Sequence, residues 1–262
     1  MRQLKSFALI ALTAVAITAC SGSKEQVEQA PEQQLLQTGK THLESGNYAQ
    51  AARYLEAVRN RFPTSANAEQ SLLSLIYANY KMEDYTATLT FADRFLQEFP
   101  RSPYLDYVVY LAGLTNYSLA ENFIQDLFKI DRATRENTSL KSAYANFQTL
   151  IQHFPNSTYV EDAKARMDYI REALARHELA IVKFYAKRNA HVAVANRVVG
   201  MMQVHPEAKS TYQALSFLKE AYQAMGLNEL VAKTEKLIED NKNNHFSDVE
   251  KPQKKELQFP IH

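Results

Sequence analysis

One punctuation mark recurs along this chain and constrains it more than any other feature. Phe62-Pro63-Thr64-Ser65, Phe99-Pro100-Arg101-Ser102 and Phe154-Pro155-Asn156-Ser157 share the pattern Phe-Pro-x-Ser, and each follows a run with small and apolar residues at helical spacing. In the stretch Ser45 to Ser65, Gly46-Asn47 makes a turn and Tyr48 packs at its exit. Ala51, Leu55 and Val58 then lie on one helical face, and Pro63 stops the helix because it has no N–H to continue it. Pro63 and Pro100 stand 37 residues apart. The folding unit is therefore short, helical and repeated.

This grammar resembles the tetratricopeptide repeat, a helix-turn-helix of about 34 residues with small-x3-aromatic spacing and a closing proline. The expected fold class is all-α, a tetratricopeptide-repeat solenoid of about five helix-turn-helix repeats. Composition agrees: 262 residues, 46% hydrophobic and 23% charged, hold only six Gly and eight Pro, too few for a strand-and-turn protein. No Trp occurs, so the tryptophan of the average repeat is absent throughout.

Taken in order, residues 32–157 hold three repeats and 158–240 two more. The second repeat has Leu72, Leu75 and Ile76 in its first helix, Tyr85 after the turn, and Thr88, Ala92 and Phe95 before Phe99-Pro100. The third is interrupted. Pro100 and Pro155 stand 55 residues apart, which leaves an apolar insertion near 120–138 that is expected to fold back on the solenoid. A long helical stretch then runs from Tyr159 to about Lys187, with turns at Asn189 and Gly226 beyond it. Residues 241–262 show little apolar periodicity and read as a disordered or partner-ordered tail.

The start of the chain is of another kind. Residues 1–19 place Arg2 and Lys5 before an apolar run from Phe7 to Ile17, the pattern of a bacterial export signal, and one too short to span a bilayer. Ile17-Thr18-Ala19-Cys20 resembles the lipobox of bacterial lipoproteins, which implies an S-diacylglycerol and an N-acyl group on Cys20 after cleavage. Cys20 is the single cysteine, so no internal disulfide can form. With Ser21 rather than Asp next, such a lipoprotein would be sent to the outer membrane and held there without a transmembrane segment. Residues 20–31 are a polar, flexible tether.

No enzyme chemistry is legible. The chain lacks GxSxG, HExxH, GxGxxG and P-loop patterns, and its seven histidines form no i,i+4 pair. A formal charge of +1 argues against nucleic acid as a partner. No cofactor is expected beyond the lipid. A binding scaffold remains, whose concave face displays side chains from the first helix of each repeat. The repeat register assigns Leu73, Tyr77, Tyr80, Lys81, Tyr107 and Tyr110 to a peptide groove, with packing between repeats as the alternative place for the tyrosines.

Several runs together resemble one family, the BamD outer-membrane assembly lipoproteins. They are Cys20 to Glu25, Leu75-Ile-Tyr-Ala-Asn-Tyr-Lys81, Leu105 to Asn116, Asp131-Arg132, Phe154 to Ser157, and Val194-Ala-Asn-Arg-Val-Val-Gly-Met201. The resemblance implies a non-enzymatic scaffold on the periplasmic face of the outer membrane. Its C-terminal repeats would dock on the barrel protein BamA and help organise accessory Bam lipoproteins. Its N-terminal repeats would recognise the aromatic-ending C-termini of unfolded outer-membrane proteins. The family's arginine at the BamA contact falls on Arg197. Thr64-Ser-Ala-Asn-Ala68 departs from the family's aromatic-rich loop, and the tail from Asn241 matches no family motif. The rival reading is a tetratricopeptide lipoprotein that serves cell-wall or division partners.

Overall fold

The computed structural model describes residues 27, 29–120, 133–244, 249–253, 255 and 257–260, with side chains of the 133–137 stretch left aside. Among the described residues are ten helices and no strand: α1 (Glu32–Glu44), α2 (Tyr48–Arg61), α3 (Ala68–Lys81), α4 (Tyr85–Glu98), α5 (Leu105–Leu119), α6 (Ala133–His153), α7 (Val160–Ala186), α8 (His191–Val204), α9 (Lys209–Ala224) and α10 (Asn228–Asp240). This is the all-α, tetratricopeptide-like helical solenoid expected from the repeat. Sequential helices pack in pairs, α1 on α2, α3 on α4, α8 on α9 and α9 on α10.

Two kinds of turn alternate. After α1, α3, α7 and α9 the chain enters the left-handed region at Gly46, Glu83, Asn189 and Gly226. In each case the next residue's N–H reaches five residues back, as in Asn47 to the His42 carbonyl at 2.8 Å and Asp84 to that of Asn79 at 3.0 Å. This closes the orphan carbonyls of the helix end and reverses the chain into the second helix of the pair.

The Phe-Pro stops make the other turn. The N–H groups of Phe62, Phe99, Phe154 and His205 each close a last helical bond, to Val58, Phe95, Leu150 and Met201, at 2.8–2.9 Å. Phe62, Phe99 and His205 take extended φ values of −131°, −125° and −131°, as a residue before proline must. The residue three positions later donates its N–H to the carbonyl of Phe62, Phe99, Phe154 or His205 itself, and where it is serine its Oγ also accepts a backbone N–H two residues on: Asn67 at 3.2 Å, Tyr104 at 3.1 Å and Tyr159 at 3.3 Å. The serine of the pattern is thus a local cap that turns the chain into the next repeat. Ala208 fills its place in the fourth copy, so there the side-chain bond is absent.

The described residues divide into two compact units, those up to 108 with 258–260, and those between 109 and 257. The division falls within α5 rather than at the 157/158 repeat boundary. Tyr110 stacks on Tyr159 with ring centroids 4.5 Å apart, and Gly113 lies against Phe147, which joins most of α5 to α6 and α7. The first unit's core holds Leu35, Leu55, Val58, Leu72, Leu75, Ile76 and Phe95, and the second has a cluster of Leu179, Val182, Val194, Val198, Met201, Leu215 and Leu218. Residues 159–187 lie almost wholly in the single helix α7, and α6 begins at Ala133, inside the stretch near 120–138 read as an insertion. Cys20 and most of the 120–138 insertion, including Asp131-Arg132, lie outside the described residues.

Two substitutions test this packing. Glu83, at φ 60°, occupies a conformation that suits glycine, so Glu83→Gly should raise stability by about 0.5 kcal/mol, read as a higher urea midpoint at unchanged slope. A Cβ at Gly113 would lie 2.6 Å from Cε1 of the fully buried Phe147. Gly113→Ala should therefore destabilise by about 1–3 kcal/mol in the same titration.

Candidate functional site

Two surfaces collect the residues singled out by the sequence, one in each unit. On the first, α3 is buried along most of its length because both faces meet neighbouring helices, and it is half-exposed only near its two ends, at Glu69 and Gln70 and at Tyr80 and Lys81. There Tyr77 meets Tyr48 edge-on, with centroids 6.1 Å apart. Lys81 sets its Nζ 5.7 Å from the centre of the Tyr48 ring and 6.0 Å from that of Tyr77. Tyr80, half-buried, lies beside Tyr85 at 6.4 Å. The arrangement is an apolar, electron-rich corner with a cation above it, suited to aromatic side chains and to nearby negative charge.

The rest of the expected groove is corrected by the structure. Leu73, Tyr107 and Tyr110 are 0%, 1% and 0% exposed, so they are packing residues and present no surface to a peptide. For the tyrosines the alternative placement, inside the packing between helices, is the one observed. Tyr110 donates its hydroxyl to Asp162 Oδ2 at 2.7 Å, and burial followed by that bond pushes the phenol well above its ordinary range. Asp162 in turn pairs with Arg166, whose guanidinium is almost wholly buried and lies 5.2 Å from the centre of the Tyr117 ring. Burial is the largest effect and disfavours that charge, but the bond to Asp162 and its charge, with Tyr110 and Tyr117, together outweigh it and hold the arginine protonated.

Arg166 reaches one further partner. Its Nη2 donates to the Gln253 carbonyl at 3.0 Å. The tail, expected to be disordered, therefore has intrachain contacts at its described residues: Leu257 is buried, Lys255 lies 5.6 Å from the Tyr159 ring centre, and Phe259 packs on Tyr77 at 5.3 Å. Tyr48, Arg166 and Phe259 were not legible as site residues. Tyr48 reads as a turn-exit packing residue and Arg166 as one of many helix charges. Leu257 and Phe259 two positions apart were the one signal in the tail.

On the second unit, Val194, Val198 and Met201 bury one face of α8, and Arg197 leaves it as the spacing predicts. Arg197 is 44% exposed and donates through Nη1 to Glu178 Oε2 of α7 at 2.9 Å. The pair stands at a cleft of about 560 Å³ bordered by Tyr144, Arg171, His177, Met201, Val204 and His205. Arg171 is itself held by Glu207 at 2.7 Å and Asp168 at 3.3 Å. Val204, 68% exposed, adds an apolar edge. Cationic and apolar groups side by side, with arginine heads already oriented, suit a partner surface that offers a carboxylate within an apolar patch.

Among the described residues no group of three or more His, Cys, Asp or Glu is placed to hold a metal ion, and no helix is long and apolar enough to cross a membrane. What the fold defines is a helical-repeat protein. The comparisons narrow the class: the family model YfiO, "Outer membrane lipoprotein", matches residues 28–237. The outer membrane protein assembly factor BamD of Pasteurella multocida is 65% identical over 252 residues, 96% of each chain. That of Haemophilus influenzae is 54% identical over 260 residues, 99% of each, and that of Vibrio cholerae 38% over 222 residues, 85% of this chain and 92% of the relative. The chain belongs to the BamD family of outer-membrane lipoproteins.

The cleft has a pH signature. Burial pushes the His205 imidazole below its ordinary value of 6.5, although Glu178 pulls the other way. A base depressed in the folded state contributes stability that is present above the unfolded value and lost as pH falls below it. Melting temperature should therefore fall as pH drops from about 7 to about 5.5, and His205→Asn should flatten that part of the profile.

Proposed function

We propose that this protein is a lipid-anchored assembly factor for outer-membrane proteins, a non-enzymatic scaffold on the periplasmic face of the outer membrane. Cys20 bears the N-acyl and S-diacylglycerol groups that hold it there. The C-terminal repeats dock on BamA with Arg197 in the contact, and accessory Bam lipoproteins assemble around them. The N-terminal repeats take the C-termini of unfolded outer-membrane proteins, with Tyr80 and Lys81, both half-buried, and Tyr77, 8% exposed and packed against Phe259, as the residues of the expected groove nearest the surface. The observation that carries the reading is 65% identity, over 96% of both chains, with an outer membrane protein assembly factor.

Geometry adds support to the Arg197 role. The guanidinium is partly exposed, oriented by Glu178 and flanked by the apolar edge of Val204. Glu178 marks the place where a carboxylate binds it, and a partner carboxylate would share or replace that bond. The N-terminal corner in turn already holds an aromatic side chain, that of Phe259.

A native pull-down of the lipidated protein from outer membranes, wild type beside Arg197→Glu, tests the docking. The expected result is co-recovery of a large β-barrel protein with the wild type and its loss on charge reversal, equivalent to a drop in affinity of about 30-fold or more. Recovery with both proteins would remove Arg197 from the interface. Cell-wall or division proteins in place of the barrel protein would favour the rival lipoprotein scaffold.

A further inference from the structure

We propose that Tyr48, Tyr77 and Lys81 form a site for one aromatic side chain of an extended peptide, and that the chain's own Phe259 occupies it as an intramolecular competitor. The proposal rests on the reading of the N-terminal repeats as a binder of aromatic-ending chain termini, and it adds the subsite, its third residue and its regulation.

The ligand class follows from what sits there. Phe259 places its ring 5.3 Å from that of Tyr77 at an interplanar angle of 45°, and Tyr48 meets Tyr77 at 6.1 Å and 81°. Tilted and edge-on contacts at these distances are the favoured geometries of aromatic pairs. The Lys81 ammonium stands over both tyrosines, so the corner offers π faces and a cation to the same ligand. An aromatic residue near a chain terminus presents a ring and a carboxylate close together, which matches this pairing.

The occupant belongs to a segment with no helix or strand among its described residues. Backbone ladders therefore do not hold Phe259 where it is. The segment is placed by side chains and single bonds: Leu257 buried, the Gln253 carbonyl on Arg166, and Lys255 near Tyr159. Gln258 to Pro260 group with the first unit by contact, although α6 to α10, which precede them in the chain, belong to the second.

A ligand in the same chain acts at an effective concentration of about a millimolar. Contacts too weak to bind between molecules can then keep the site largely filled. Any peptide in solution binds only the fraction of molecules in which Phe259 has left, so its apparent dissociation constant is the intrinsic one divided by that fraction. Weak or lone aromatic side chains are turned away, and a true terminus with further contacts displaces the tail. The tail can return when that terminus moves on.

The test measures fluorescence anisotropy of a labelled peptide of about ten residues, with alternating apolar side chains and a terminal Phe, on the full mature chain. Wild type, Phe259→Ala and Tyr77→Ala are compared, with melting temperatures as the control for folding and a terminal-Ser peptide as the control for specificity. Phe259→Ala should bind the Phe peptide about three- to tenfold more tightly than wild type. Tyr77→Ala should weaken it, and an added peptide of residues 249–262 should compete. Equal affinities of wild type and Phe259→Ala, with Tyr77→Ala still weak, would leave the peptide-binding reading standing and overturn the competition. Failure of the Phe peptide to bind any of the three, or equal binding of the Ser peptide, would sink the peptide-binding reading, and the competition with it.

Discussion

Everything in this structure depends on how its helices end. A helix leaves four carbonyls without partners, and in a bundle of short helices those ends are too numerous to leave to solvent. The chain meets this with two devices. Left-handed turns at Gly46, Glu83, Asn189 and Gly226 send N–H groups back into the helix just finished. X-Pro stops at Phe62, Phe99, Phe154 and His205 close one last bond and then forbid another. The first device reverses the chain within a pair, and the second carries it to the next pair. Their alternation makes a helical repeat out of sequences that otherwise share little.

A second constraint is electrostatic. Arg166 is buried beside Tyr117 and is tolerable there only because Asp162 neutralises it and Tyr110 donates to the same carboxylate. Burying such a pair costs desolvation that its attraction roughly offsets, so its value lies more in the specificity of placement than in net stability. Here the specificity extends to the tail. Arg166 Nη2, which also donates to Asp162, bonds the Gln253 carbonyl at 3.0 Å and ties that irregular stretch to α7.

The two candidate surfaces differ in how far they are preformed. Arg197 is already oriented by Glu178, so the proposed docking partner would find its cation in place. The aromatic corner at Tyr77 is filled by Phe259, so an incoming residue must exchange for it. The first suits a lasting contact and the second a transient one.

What the sequence determined by itself was everything local. Phe-Pro-x-Ser, the turn residues and the small-x3-apolar spacing are decided within a few positions by backbone sterics and hydrogen bonding, so helix order and the outward side of Arg197 were legible. What covers Tyr77 and Tyr110 was not. Both sit on first helices of repeats and look alike in sequence, but Tyr110 is covered by Tyr159 and Asp162, while Tyr77 lies at a corner where Tyr48, Lys81 and Phe259 meet it. The tail escaped for the same reason: it has no periodicity of its own, and its partners Arg166, Tyr159 and Tyr77 are 87, 96 and 182 positions away from Gln253, Lys255 and Phe259. Such pairings depend on which surfaces the packed helices leave beside one another, and only the tertiary structure decides that.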